Sequence, residues 1–182
     1  MSFEITTTDI EGLRIITPRV FGDHRGYFKE TYRESMFQEL ELPHFVQENE
    51  SRSKAGVLRG LHYQIHPEPL CKLVRCVRGA IFDVAVDIRK NSATYGQWHG
   101  LELNEENHKM FLVPEGFAHG FVTLREDTVI SYKQTRYYSP EHEHGIAWND
   151  PAINIRWPIS DPILSEKDKL ARSLNDAENN FV

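Results

Sequence analysis

The chain has 182 residues, 40% of them hydrophobic and 26% charged, with a formal net charge of -6 at pH 7. Residues 1–182 therefore read as a single domain with a core large enough to fold unaided. The negative charge excludes a broad nucleic-acid surface, which needs a basic face. No apolar run approaches the roughly 18 residues of a membrane helix.

In chain order, the amino terminus MSFEITTTDIEG is acidic and polar and is no secretory signal, so a cytoplasmic location is expected. A first strand is predicted at Leu13–Pro18 and a short helix over Glu34–Leu40. Strands follow at Leu58–Gln64, Lys72–Arg78, Ala80–Ile88, Trp98–Leu103, Lys109–Val113, Gly120–Leu124 and Val129–Thr135. Arg78-Gly79 and Pro114–Gly116 punctuate this series as turns. Ser165 can cap a final helical turn through Asp168, continuing into Lys169–Ser173. Short strands at this spacing predict an all-β sandwich or barrel, read here as a jelly roll with helical trimmings near residues 34–40 and the carboxyl terminus.

Only Cys71 and Cys76 are present. In an extended run they would stand about 16 Å apart. A disulfide needs its Cα atoms within about 7 Å, so both thiols read as free, which fits a reducing compartment.

Along Ala80–Ile88, Ile81, Asp83, Ala85 and Asp87 share one face. If that face lines a barrel interior, Asp83 is a buried acid in need of a partner, for which a histidine is suited; parity alone leaves a solvated face equally open. Among nine histidines, His62 and His119 stand apart because each sits in or at the start of a strand. The other seven lie in polar or turn-like settings and receive no catalytic role. Tyr132 shares its strand face with Ile130 and Gln134. Ordinary β-propensity accounts for it, as does a phenol poised as an acid. Arg25, Arg59, Lys72 and Lys167 are the basic residues that would have to converge to hold a small anion.

Pro114-x-Gly116-x-x-His119 resembles the second half of the cupin signature, a turn that delivers a histidine into a barrel mouth. The first half would carry a His-x-His pair, and here the stretch reads His62-Tyr63-Gln64. Two nitrogen ligands rarely suffice for zinc or iron, which usually take three protein ligands. A cupin-type barrel with no metal site and no cofactor is therefore expected.

The blocks FGDHRGYF (21–28), QEN (47–49), RGLHYQ (59–64), KLVRCVRG (72–79), PEGFAHGF (114–121), YKQTRYYSPEHEHGI (132–146) and LSEKD (164–168) together resemble the dTDP-4-dehydrorhamnose 3,5-epimerase family, collinearly from about Ile5 to Asp168. The resemblance implies an isomerase of dTDP-L-rhamnose biosynthesis that inverts carbons 3 and 5 of a dTDP-4-keto-6-deoxy sugar. It implies His62 as general base oriented by Asp168, Tyr132 as general acid, and Lys72 at the enolate oxygen. It implies a second dyad of His119 with Asp83, and Arg25, Arg59 and Lys167 at the diphosphate and sugar. Glu30, Gln47, Glu48, Asn49 and Glu143 would complete the binding shell, and Tyr138 would stack on thymine. It also implies a homodimer in which Arg25 and Glu30 serve the neighbour's site. Strict alternation sets Arg59 and His62 on opposite faces of one strand, unless Gly60 admits a bulge. The competing readings are an epimerase acting at carbon 3 alone, a metal-dependent cupin using His62, His119 and Gln64, and a non-catalytic sugar-binding cupin.

Overall fold

A computed structural model describes residues 2–182, and its regular structure is almost entirely antiparallel strand. In chain order these are β1 (Phe3–Thr7), β2 (Arg14–Pro18), β3 (Val20–Asp23), β4 (Gly26–Lys29), β5 (Gln47–Ser53), β6 (Leu58–Gln64) and β7 (Lys72–Arg78). They continue with β8 (Ala80–Asp87), β9 (Trp98–Asn104), β10 (Met110–Val113), β11 (Phe117–Thr123), β12 (Thr128–Gln134) and β13 (Glu143–Gly145). Two short helices, α1 (Glu34–Glu39) and α2 (Glu166–Lys169), complete the elements. One sheet runs β1-β2-β10-β7-β12-β5 and the other β13-β6-β11-β8-β9, with β3 and β4 forming a separate hairpin. From β5 onward nearly every connection crosses between the sheets, which is the jelly-roll pattern expected.

Side-chain alternation sorts three layers. Val74, Cys76, Phe111 and Ile130 from the six-stranded sheet meet Ile81, Ala85, Phe117 and Phe121 from the other to form the barrel interior. The opposite face of β8, with Val84 and Val86, is covered by Ile153, Leu174 and Phe181 of the carboxyl-terminal segment. Both faces of β8 are thus buried, and Asp83 lies on the interior one, fully enclosed. On the far side of the six-stranded sheet, Leu73, Met110 and Leu112 pack against Phe37 of α1 and Phe45. Cys71 and Cys76 are free and buried.

Strands β6 and β7 coincide with their predicted bounds, while β1, β3, β4, β5 and β13 were not anticipated. The sequence of β5, QENESRS, is polar throughout, so the apolar alternation that reveals a half-buried strand is missing. Ser165 does cap α2, its Oγ accepting from the Asp168 amide at 3.1 Å. The helix stops at Lys169 instead of continuing to Ser173, because Arg172 bridges Ile146 in parallel fashion and its carbonyl accepts from the Ala147 amide.

A bulge forms where one was needed. His62 pairs with His119 and Arg59 with Phe121, so three steps along β6 match two along β11. The extra residue brings Arg59 and His62 to the same interior face. Gly60 carries it with φ +125°, and a Cβ there would stand 2.5 Å from the Gly120 Cα and 2.8 Å from the His119 carbonyl oxygen. Gly60→Ala combines a disfavoured backbone with a backbone clash, and is expected to cost about 2–4 kcal/mol of stability. A melting curve within about 2 °C of the parent would overturn this account of the bulge.

Candidate active site

The barrel interior is dry at one end and wet at the other. On β7 the inward series runs Lys72, Val74, Cys76. On β12 it runs Gln134, Tyr132, Ile130, so polar residues of both strands lie toward the same end. There a cavity of about 640 Å³ is lined by Gln47, Asn49 and Ser51 of β5, Arg59, His62 and Gln64 of β6, and His119 of β11. Lys72, Tyr132, Gln134, Tyr138, Glu143 and Asp168 also line it. Since β6 and β12 belong to opposite sheets, His62 and Tyr132 approach the cavity from opposite walls.

His62 Nε2 stands 2.6 Å from Asp168 Oδ1. The capped turn of α2 fixes that carboxylate, which is buried. Burial alone would raise the Asp168 pKa, but the hydrogen bond and charge of His62, with help from the Ser165 hydroxyl, hold it below the ordinary carboxylate value. A carboxylate so held orients the imidazole and stabilises its protonated form. A second pair lies deeper, with His119 Nε2 2.7 Å from Asp83 Oδ1. The histidine partner expected for Asp83 is therefore present, while Asp83 Oδ2 is buried without a partner among the described residues.

The Lys72 ammonium forms no hydrogen bond or ion pair among the described residues. Desolvation pushes its pKa down to about 8, against the upward pull of Glu143 and Asp83. Its ammonium is thus a free donor at neutral pH. Tyr132 moves the other way: burial raises the phenol above its ordinary value, so it stays protonated where Lys72 begins to titrate.

Arg59 is steadied by Ser53, whose hydroxyl accepts from Nε at 3.2 Å and Nη2 at 3.1 Å. At the rim, the Tyr138 hydroxyl donates to Glu143 at 2.8 Å. Lys167 pairs with the same carboxylate, beside a second cleft that it lines with His62, Glu143 and Asp168. Tyr138 itself is half exposed, with its ring available to a ligand.

Four candidates stand elsewhere. Glu48 points to the outer face of β5, where it accepts from Ser131 and Lys133 at 2.5 Å each; with Gln47 and Asn49 turned inward, period-two alternation forces it out. Asp83 lies behind His119 and does not line the cavity. Arg25 pairs with Asp23 in the turn of the β3–β4 hairpin, and Glu30 pairs with Arg33 just after it, both outside this chain's cavity. Conversely, Ser51, Ser53 and Gln134 belong to the site or support it and were not singled out as site residues, while Gln64 was named only as a ligand of the competing metal-dependent reading. For Gln134 the signal was its shared strand face with Tyr132.

The residues present do not suit a cupin metal. His62 and His119 each commit Nε2 to a carboxylate. Gln64 occupies the place of the second histidine and uses its amide on the Ser139 N–H at 2.9 Å and the Glu68 carbonyl at 2.7 Å. No cluster of three His, Cys, Asp or Glu suited to a metal occurs among the described residues.

The family model described as dTDP-4-dehydrorhamnose 3,5-epimerase matches residues 7–176. A protein of that name from Methanothermobacter thermautotrophicus is 52% identical over 178 residues, spanning 96% of each chain. Another, from Salmonella typhimurium, is 52% identical over 176 residues, covering 95% of this chain and 96% of the relative. The crystal structure of a dTDP-6-deoxy-D-glucose-3,5-epimerase from Legionella pneumophila, in complex with dTDP-4-keto-L-rhamnose, superposes with a TM-score of 0.91 at 46% identity. That match covers 96% of this chain and 94% of the other.

Proposed function

Because the chain belongs to the dTDP-4-dehydrorhamnose 3,5-epimerase family, we propose that it inverts carbons 3 and 5 of dTDP-4-dehydro-6-deoxy-D-glucose to give dTDP-4-dehydro-L-rhamnose, a step of dTDP-L-rhamnose biosynthesis. The observation that carries this reading is the pairing of His62 with Asp168 on one wall of a cavity whose other wall presents Tyr132 and Lys72.

The chemistry follows from the 4-keto group, which acidifies the C–H bonds on both neighbouring carbons. His62 removes a proton, and Asp168 stabilises the resulting imidazolium. The electrons move into the ketone oxygen, where the Lys72 ammonium meets the developing charge. Inversion then needs a proton from the opposite face, beyond the reach of His62, and Tyr132 supplies it from the other sheet. Arg59 meets the diphosphate, Tyr138 stacks on the base, Gln47 and Asn49 hold the sugar nucleotide, and Glu143 and Lys167 line its entrance. His119, backed by Asp83, closes the cavity floor.

Phe21, Tyr27 and Phe28 on the β3–β4 hairpin are 52%, 56% and 69% exposed. An apolar patch of this kind favours an interface. We read it as the contact of a homodimer in which Arg25 and Glu30 complete the neighbour's site. The chain acts as one catalytic domain. No helix of the described residues is long and apolar enough to cross a membrane. The two unbridged thiols suit a reducing compartment, and the cytoplasm is the location we propose.

The decisive assay is incubation with dTDP-4-keto-6-deoxyglucose in D₂O. Deuterium at both carbons 3 and 5 of an inverted product is expected. Label at carbon 3 alone would replace this reading with a 3-epimerase, and no label at all would remove the epimerase reading.

The pH profile should carry the mark of Lys72. Its amine in the free enzyme loses charge as pH rises through about 8, so kcat/KM should fall about tenfold per unit above that point. The unfolded lysine, near 10.5, binds its proton more tightly. The contribution of Lys72 to stability therefore rises from pH 8 to 10.5, and the lost turnover is not unfolding. A kcat/KM that stays flat to pH 10 would contradict the role of Lys72.

A further inference from the structure

Three residues in one row across adjacent strands reach the cavity. Gln134 of β12 lies in register with Lys72 of β7 on one side and Gln47 of β5 on the other. It stands two residues from Tyr132 on the same face. Its side chain is 4% exposed and lines the cavity.

The orientation of its amide follows from one fixed donor. The Tyr138 backbone N–H can only donate, and it reaches Gln47 Oε1 at 3.1 Å. Gln47 Nε2 is thereby turned to donate, to Asn49 Oδ1 at 3.0 Å and Gln134 Oε1 at 3.1 Å. Asn49 Nδ2 donates to the same Gln134 oxygen at 2.7 Å. Both neighbours thus require the carbonyl of Gln134 and leave its NH₂ group with no hydrogen-bond partner among the described residues. That nitrogen is not among the fully buried polar atoms that lack a partner, so its two N–H groups keep access to the cavity, where a ligand oxygen can accept from them. The groups beside it are Lys72 and Tyr132.

We propose that Gln134 is a further substrate-contacting residue, its NH₂ group donating to an oxygen of the sugar ring held between Lys72 and Tyr132. This rests on the reading of the cavity as a keto-sugar nucleotide site. The carbonyl half of the amide holds Gln47 and Asn49 in place, and the NH₂ half holds the ligand. Gln134 takes no proton in the reaction; it fixes the ring so that the ketone oxygen meets Lys72.

The two halves are separable. Gln134→Glu keeps an oxygen for Gln47 and Asn49 and removes the donors. Gln134→Met removes both without adding charge. For each variant, kcat/KM on dTDP-4-keto-6-deoxyglucose and the Kd for dTDP alone would be measured beside a melting curve. Gln134→Glu is expected to lose at least 100-fold in kcat/KM with dTDP affinity within about threefold of the parent, and Gln134→Met to lose 10–100-fold, more than its loss in dTDP affinity. Parental kcat/KM in Gln134→Glu would overturn the proposal, leaving Gln134 as a scaffold for its neighbours. Equal losses in kcat/KM and dTDP affinity in either variant would also overturn it, assigning the contact to the nucleotide. If Gln134→Glu fails to fold, the Met variant decides by the same ratio. A parent enzyme inactive on this substrate would instead refute the functional reading beneath the proposal.

Discussion

His62→Ala is expected to lose epimerisation and solvent deuterium incorporation together, at both carbons, by about 10⁴, the upper end of what a positioned base contributes. The loss is joint because no enolate forms at either carbon until a proton leaves, and the Asp168 pair is made by this histidine. The variant also leaves a buried carboxylate without its donor, so part of any effect could come from a weakened fold. Two controls separate these causes. dTDP affinity should be nearly unchanged, because Arg59 and Tyr138 are untouched, and Asp168→Asn should keep the ring in place while losing the charge that stabilises the imidazolium. An intermediate rate for Asp168→Asn, with a folded His62→Ala protein that binds dTDP and exchanges nothing, is the expected pattern. Persistent exchange at either carbon in His62→Ala would require a second base there, and His119 would be the residue to test.

How far this site was legible in the sequence depended on what each strand buries. The bounds of β7, and those of β8 to within one residue, follow from their apolar runs, and period-two reading grouped Asp83 with Ile81 and Ala85; that this face is the interior one is a tertiary fact, since β8 is buried on both sides. β5 carries Gln47, Asn49 and Ser51 inward toward a wet cavity, so neither face is apolar and the strand is invisible to hydrophobic pattern. The same parity rule would have turned Glu48 outward had β5 been recognised as a strand. The bulge at Gly60 was identifiable as a need, since Arg59 and His62 could share a face in no other way. Its location in the register with β11 is a tertiary fact. The pairs His62–Asp168 and His119–Asp83 span 106 and 36 residues. No local signal joins such residues: the alternation in β8 asked for a histidine beside Asp83, but only the collinear blocks named both members of each pair.

Tyr132→Phe tests the second proton transfer. The substitution keeps the ring, which packs against the interior core, and removes only a hydroxyl. Burial holds that phenol above its ordinary pKa, so it is protonated throughout the working range and suited to donate. If Tyr132 is the acid, the variant should still form the enolate through His62 and exchange protons on that face. Reprotonation from the opposite face should fail, releasing mostly uninverted sugar, with epimerisation slowed by about 10²–10⁴. The ratio of exchange to inversion, read by NMR, should therefore rise sharply while the melting temperature moves by only a few degrees. A tyrosine that merely anchors the barrel predicts the reverse, a lower melting temperature with the ratio unchanged. Because His62→Ala suppresses both processes and Tyr132→Phe uncouples them, the two variants together assign one proton to each wall of the cavity. An unchanged ratio in the folded Tyr132→Phe protein would move the acid to another residue.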